Sequence, residues 1–139
     1  MQTNELITAI LNKKPILIID DEPKIISLIQ KYFEKSGIST AQIVTAHDGQ
    51  EALLKLKNQE FGLVIADIVM PKKSGLEVLK ELKSRAKTKK IPFVIISGNL
   101  QAEVVKQAVI LGAKNIISKP FNYDLFMERI FRALGDLAV

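Results

Sequence analysis

The sequence predicts an α/β domain, with a five-stranded parallel sheet inside a doubly wound, three-layer (βα)5 sandwich. Three observations carry that expectation. Five short runs, "PILIID", "AQIVTA", "FGLVIAD", "IPFVIIS" and "AKNIIS", are rich in Ile and Val and hardly alternate with polar residues, as strands buried on both faces of a parallel sheet do. A segment of helical character follows each run, and such alternation builds a sheet covered by helices on both faces through right-handed crossovers. The 139 residues suit a single core, with no linker or low-complexity tract to divide it.

Taken in order, residues 1–14 form an N-terminal extension in which Leu6, Ile7, Ile10 and Leu11 would share one face of a short helix. It is read as an arm laid on a domain spanning 15–139. After "PILIID", the segment "EPKIISLIQKYFEKSG" sets Ile25, Ile26, Leu28, Ile29 and Phe33 at helical spacing and ends at a glycine stop. "AQIVTA" leads into "DGQEALLKLKNQE", where Asp48 is the capping residue and Glu51 stands three positions on. "FGLVIAD" leads to "SGLEVLKELKSRA", with Ser74 and Glu77 in the same relation. "IPFVIIS" is followed by "LQAEVVKQAVILGA", stopping near Gly112, and "AKNIIS" by "NYDLFMERIFRALG", stopping near Gly135. The last two helices carry more apolar residues than one stripe needs: Val104, Val105, Ala108, Val109, Ile110 and Leu111 in one, Leu125, Phe126, Met127, Ile130, Phe131 and Leu134 in the other. Two readings stay open, an exposed contact surface or deeper burial against neighbouring helices.

The composition is that of an ordinary globular chain, 47% apolar and 25% charged. It has no cysteine, hence no disulfide framework and no thiolate metal site. No apolar run is long enough to cross a bilayer, and no basic start leads into an apolar core, so a cytoplasmic protein is expected. The net charge of +5 is read as lysines spread over solvated helix faces. The basic run "KELKSRAKTKK" lacks interleaved aromatics and is read as a solvated loop, not a nucleic-acid contact. His47, the single histidine, is assigned no task.

The chemistry lies at the strand ends. The first run ends in Asp20-Asp21, the third in Asp67 and the fourth in Ser97, and Lys119-Pro120 follows the fifth. A parallel sheet brings its strand C-termini to one edge, outside which open α/β folds bind ligands. Three carboxylates there repel one another unless a cation joins them, and hard oxygen ligands suit Mg2+. With the metal in place, one carboxylate can act as nucleophile toward an electrophilic phosphorus. Lys119 would then neutralise charge on the phosphoryl oxygens and Ser97 would donate a hydrogen bond to one of them.

Over about Pro15 to Leu134 the chain resembles the receiver domain of two-component response regulators, of the single-domain, chemotaxis-regulator-like kind. "ILIIDDE" is similar to that family's acidic-pair strand, "TAHDGQEAL" to its second strand-to-helix turn and "LVIADIVMPKKSGLEVL" to its phosphoacceptor segment. "FVIISG" is similar to its hydroxyl-bearing strand, and "GAKNIISKPF" to its last strand with the Lys-Pro pair. The resemblance implies a flavodoxin-like topology and a cis Lys119-Pro120 bond. It also implies Asp67 as acceptor with Ser97 and Lys119 beside it, and Mg2+ held by Asp21, Asp67 and the backbone carbonyl of Val69, with Asp20 in support. The phosphoryl donor would be a sensor histidine kinase or phosphotransfer protein. Such a domain is a signalling switch, not an enzyme with a separate substrate; it catalyses only its own phosphorylation and dephosphorylation. Output would pass through the face of the fourth helix, fifth strand and fifth helix to a protein target or a second copy in a homodimer, with no nucleic-acid or membrane contact, since no output domain follows the last helix.

Three positions depart from the family or bear on its kinetics. Ile116 stands where the family often carries a Tyr or Phe that swings inward, so output here is expected to proceed without a ring switch. Val69 and Asn99 occupy the positions that flank the path of hydrolytic water, and neither is a base, which implies a slowly hydrolysed acyl phosphate. Two rival classes fit less well. An aspartyl phosphatase needs a second acid two residues after its nucleophile, where this chain has Val69. A flavin carrier of the same topology needs a phosphate loop after the first strand, where "DDEPK" would repel it.

Overall fold

The first strand, β1 (Ile16–Ile19), is buried along its whole length, and so are β3 (Leu63–Asp67) and β4 (Phe93–Ser97). These three form the middle of a parallel sheet ordered β2-β1-β3-β4-β5. That order is the flavodoxin-like form of the doubly wound fold. The edge strands β2 (Ile43–Ala46) and β5 (Asn115–Ser118) are only partly covered, as expected where one side lacks a neighbour. The computed structural model describes residues 9, 11–68, 74–98 and 101–138. Among them, no helix is long and apolar enough to cross a membrane.

Five helices follow the strands in turn: α1 (Pro23–Lys35), α2 (Gly49–Asn58), α3 (Gly75–Lys83), α4 (Ala102–Ile110) and α5 (Tyr123–Ala138). Successive side chains of a strand face opposite sides of the sheet, so β1 serves two cores. Ile16 and Ile18 join Ile29 and Phe33 of α1 and Phe126 and Ile130 of α5. Leu17 and Ile19 join Ala52 of α2, Val78 and Leu79 of α3 and Ala108 of α4. Leu11 is buried in the α1–α5 layer, which anchors the end of the N-terminal extension there; Leu6, Ile7 and Ile10 lie outside the described residues.

The helix boundaries mostly follow the capping residues. Ser74 and Glu77 make a full capping box on α3, satisfying two backbone donors reciprocally. Asp48 caps α2 through Glu51 N, but the carboxylate of Glu51 reaches one residue further back, to His47 N, at 3.1 Å. Gly37 and Gly112 take φ of 88° and 100°, the left-handed conformation in which glycine ends a helix at no steric cost. Gly135 departs from the expectation. It does not stop α5, which runs on to Ala138, because an interior glycine costs only about 1 kcal/mol against alanine and Asp-Leu-Ala can continue the turn. The start of "AQIVTA" also differs: Thr40–Gln42 form a 3-10 turn before β2.

The apolar surplus of the last two helices divides. Phe126, Met127, Ile130 and Leu134 of α5 are buried in the core. In α4 only Ala108 is buried, whereas Val109 and Ile110 are 57% and 73% exposed.

Candidate functional site

Each functional side chain is delivered by the end of a strand. Asp20 follows β1, Asp67 closes β3, Ser97 closes β4 and Lys119 follows β5. The ladder continues one residue beyond the strands: Asp20 N donates to Ala46 O at 3.1 Å and Lys119 N donates to Ser97 O at 2.8 Å. Asp20, Asp67 and Ser97 are thereby fixed on sheet backbone and buried, at 0%, 5% and 1% exposure. The α3 N-terminus approaches so closely that a Cβ on Gly75 would lie 2.2 Å from Asp67 O. Only glycine admits that contact.

Lys119 is the hub. Its Nζ lies 2.9 Å from Asp67 Oδ2, 2.9 Å from Glu22 Oε1 and 3.1 Å from Asp20 Oδ2. The peptide bond to Pro120 is cis. The segment beyond is packed against α1: Tyr32 meets Phe121 and Tyr123 edge-on, and Ser36 Oγ lies 2.6 Å from Tyr123 Oη. These contacts hold the chain on which Lys119 is mounted.

The sequence places Glu22 in the acidic run "DDE" but assigns it no role at the site. It stands at the N-cap of α1 yet makes no side-chain cap. Its carboxylate goes to Lys119, while its backbone N–H donates to Asp20 Oδ1 at 2.9 Å. Asp21 is exposed on the same loop. The cis Lys119-Pro120 bond and the strand-end meeting of Asp20, Asp67, Ser97 and Lys119 agree with expectation. Val69 and Asn99 lie outside the described residues. Ile116 is half-buried against the α2–α3–α4 core, and His47 is exposed.

The electrostatics follow from burial. Burial pushes the Asp20 carboxyl up to about 6; the Glu22 N–H and the Lys119 ammonium oppose that rise, and Asp67 adds to it. Burial alone would lower the Lys119 pKa, but the surrounding carboxylates of Asp67, Glu22 and Asp20 outweigh it and hold the ammonium above its ordinary value. Asp20 Oδ2 is buried and within ion-pair distance of Lys119 Nζ, but among the described residues no donor is aligned with it. An acceptor left in that condition is costly, and a cation would satisfy it. Asp20, Asp21, Glu22 and Asp67 each offer a carboxylate oxygen, all within 4.8 Å of one another. This all-oxygen donor set fits a hard divalent ion such as Mg2+.

The chain is similar to known proteins over most of its length. The alkaline phosphatase synthesis transcriptional regulatory protein PhoP of Bacillus subtilis is 36% identical over 114 residues, 81% of this chain and 44% of PhoP, so the chain matches less than half of that regulator's length. The probable chemotaxis protein CheY of Rhizobium etli is 32% identical over 129 residues, covering 93% of this chain and 98% of that protein. Among solved structures, the phosphorylated cyanobacterial phytochrome response regulator RcpA superposes with a TM-score of 0.71 at 28% identity, covering 88% of this chain and 91% of that one. Residues 16–131 match the family described as the response regulator receiver domain. That span takes in all five strands and the acidic, hydroxyl and lysine positions at their ends, and the chain belongs to the response regulator receiver domain family of two-component signalling.

Proposed function

We propose that this receiver domain accepts a phosphoryl group on Asp67 from the phosphohistidine of a sensor histidine kinase or a phosphotransfer protein, in the cytoplasm. The observation that carries the reading is the contact of Lys119 Nζ with Asp67 Oδ2 at 2.9 Å. It joins a buried nucleophile to a cation that can follow the charge as it moves outward. A carboxylate oxygen of Asp67 forms the new bond to phosphorus as the bond from phosphorus to the donor nitrogen breaks, and the electron pair of that bond remains with the departing imidazole. The Lys119 ammonium neutralises charge on the phosphoryl oxygens, and the Ser97 hydroxyl donates a hydrogen bond to one of them. Asp20, Asp21 and Asp67 would hold Mg2+, with the Val69 carbonyl as the further ligand that the family supplies. A bound Mg2+ contributes positive charge opposite the transferring group.

The new dianion then competes with Asp20 and Glu22 for Lys119, which shifts the loops at this edge between two arrangements. Output leaves through the α4–β5–α5 face toward a protein partner or a second copy, with Val109 and Ile110 as its exposed apolar points. The domain transforms no separate substrate.

Incubation with Mg2+ and a small-molecule acyl phosphate, followed by intact mass, tests this. One added phosphoryl group is expected on the wild type and none on Asp67→Asn, which keeps the shape and removes the nucleophile. Equal labelling of that variant would overturn the assignment.

A further inference from the structure

At the starts of β3 and β4, on the edge of the sheet opposite the carboxylates, lies a recess of about 320 Å³. Phe61, Ile91 and Pro92 give it an apolar floor, and Lys13, Lys14, Lys87 and Lys90 line it, with no Asp or Glu among its described residues. Because β3 runs between β1 and β4, the loops that carry the two lysine pairs flank its start. Both loops are fixed. The first is held by Leu11 in the α1–α5 layer, by Gln42 Nε2, which donates to Asn12 O at 2.7 Å, and by Pro15 O, which accepts from Gly62 N at 2.9 Å. The second is a run of turns in which Thr88 Oγ1 donates to Leu82 O at 2.7 Å, Lys83 Nζ to Lys89 O at 3.2 Å and Ile91 N to Thr88 O at 3.0 Å.

Lysines in a last helical turn answer the helix macrodipole, as Lys57 does in α2 and Lys83 in α3. Lys87 and Lys90 lie past the end of α3 and have no such role. Among the described residues Lys13, Lys87 and Lys90 form no ion pair. Lys14 forms one, with Glu60 at 3.6 Å, between side chains 56% and 85% exposed, and such surface pairs contribute little. Like charges gathered around one recess disfavour one another, and they are relieved by an occupant that brings carboxylates to the rim. The floor and the lysine stems take an apolar side chain, and the volume is at the small end of ligand clefts, roughly 300–1,000 Å³. A membrane surface fits less well, since it is met by protruding apolar groups, and the exposed large apolar residues, Leu54, Val109 and Ile110, lie outside this recess. A duplex backbone would satisfy the charge but leave the apolar floor unfilled.

We propose that this recess docks an acidic segment of a partner protein, in which Asp or Glu residues flank one aromatic or large aliphatic side chain. Asp67 lies at the other end of β3, roughly 13 Å away at about 3.3 Å per residue, so the docked segment leaves the phosphoacceptor edge open. The test is a fluorescence anisotropy titration of the full chain, at physiological salt, against a labelled random copolymer of Glu and Tyr, poly-Glu of the same length, and a copolymer of Lys and Tyr. The Glu–Tyr copolymer should bind saturably, poly-Glu about tenfold or more weaker, and the Lys–Tyr copolymer not at all. Lys87→Glu with Lys90→Glu should weaken binding of the Glu–Tyr copolymer by about tenfold or more, as should Lys13→Glu with Lys14→Glu. The charge-matched pair Lys31→Glu with Lys106→Glu, on α1 and α4, should leave it within about twofold. All six lysines are exposed, so each variant should keep the fold. Absence of binding by the Glu–Tyr copolymer overturns the proposal. So does equal weakening in the α1 and α4 variant, which marks net charge alone, or equal affinity for poly-Glu, which removes the apolar floor from the site. Lysine-dependent binding confined to phosphatidylserine vesicles or to a duplex oligonucleotide overturns it as well.

Discussion

Lys119 Nζ and Asp67 Oδ2 are 2.9 Å apart although 52 positions separate the two residues in the chain. The contact is set by β3 and β5, which flank β4 on either side. Asp20 and Glu22 approach the same ammonium from the loop after β1. Lys119 is therefore a cation that offsets the charge of the buried Asp20 and Asp67 carboxylates.

Removing that cation should cost stability when no metal is present. Truncating one member of a buried ion pair typically costs about 3–5 kcal/mol. Lys119→Ala is expected to fall toward that range in chelator and to recover much of it in Mg2+, which no longer competes with an ammonium for Asp20 and Asp67. Denaturant melts with and without Mg2+ check this. A Lys119→Ala variant as stable as wild type in chelator would contradict it.

Asp20 gives a pH dependence of defined sign. Its folded pKa of about 6 lies above the ordinary 3.8, so the folded state binds the extra proton. The associated stability is fully present below about 3.8 and is lost as pH rises through about 6. The loss is on the order of 3 kcal/mol. Asp20→Asn should flatten this slope, raise stability in chelator at neutral pH and weaken the response to Mg2+. Comparing the two proteins from pH 4 to 8 isolates the Asp20 contribution, and parallel curves would refute it.

Gly75→Ala tests the approach of α3 to β3. The new Cβ would meet backbone, Asp67 O at 2.2 Å and Asp67 C at 2.9 Å, so no side-chain rotation can relieve it. A destabilisation at the upper end of the overpacking range, about 2–3 kcal/mol, is expected. Displacement of Asp67 should also slow phosphoryl uptake from a small-molecule donor, read by intact mass.

Val109→Asp and Ile110→Asp probe the output face. Both side chains are largely exposed, so stability should change by no more than about 0.5 kcal/mol, and labelling of Asp67 should persist. Sedimentation of the phosphorylated domain, alone and with its target, should show weakened association. Unchanged association in both variants would move the output surface elsewhere.

Local geometry, and its consequence at one edge of the sheet, is legible in the chain of residues. The Ile- and Val-rich runs made strands, Ser74 with Glu77 made a cap, and Gly37 and Gly112 ended helices, since each signal acts within a few residues of backbone. Once the strands are parallel, the residues at their ends must converge, and so Asp20, Asp67, Ser97 and Lys119 were legible as one site. Matters that depend on distant partners emerge only when the chain is folded. Glu22 forgoes a helix cap because Lys119, 97 positions away, offers a full charge. The apolar residues of α5 became core while Val109 and Ile110 of α4 stayed in solvent, because α5 shares its side of the sheet with α1, whose Ile29 and Phe33 meet it there. Gly135 continued a helix because its conformation was set by the turns on either side of it. The lysines of "KELKSRAKTKK" look like a scattered solvated run, but folding gathers Lys87 and Lys90 with Lys13 and Lys14 around the apolar floor of Phe61, Ile91 and Pro92. Periodicity reports which way a side chain faces along its own element, whereas what it meets there is set by elements far away in the chain.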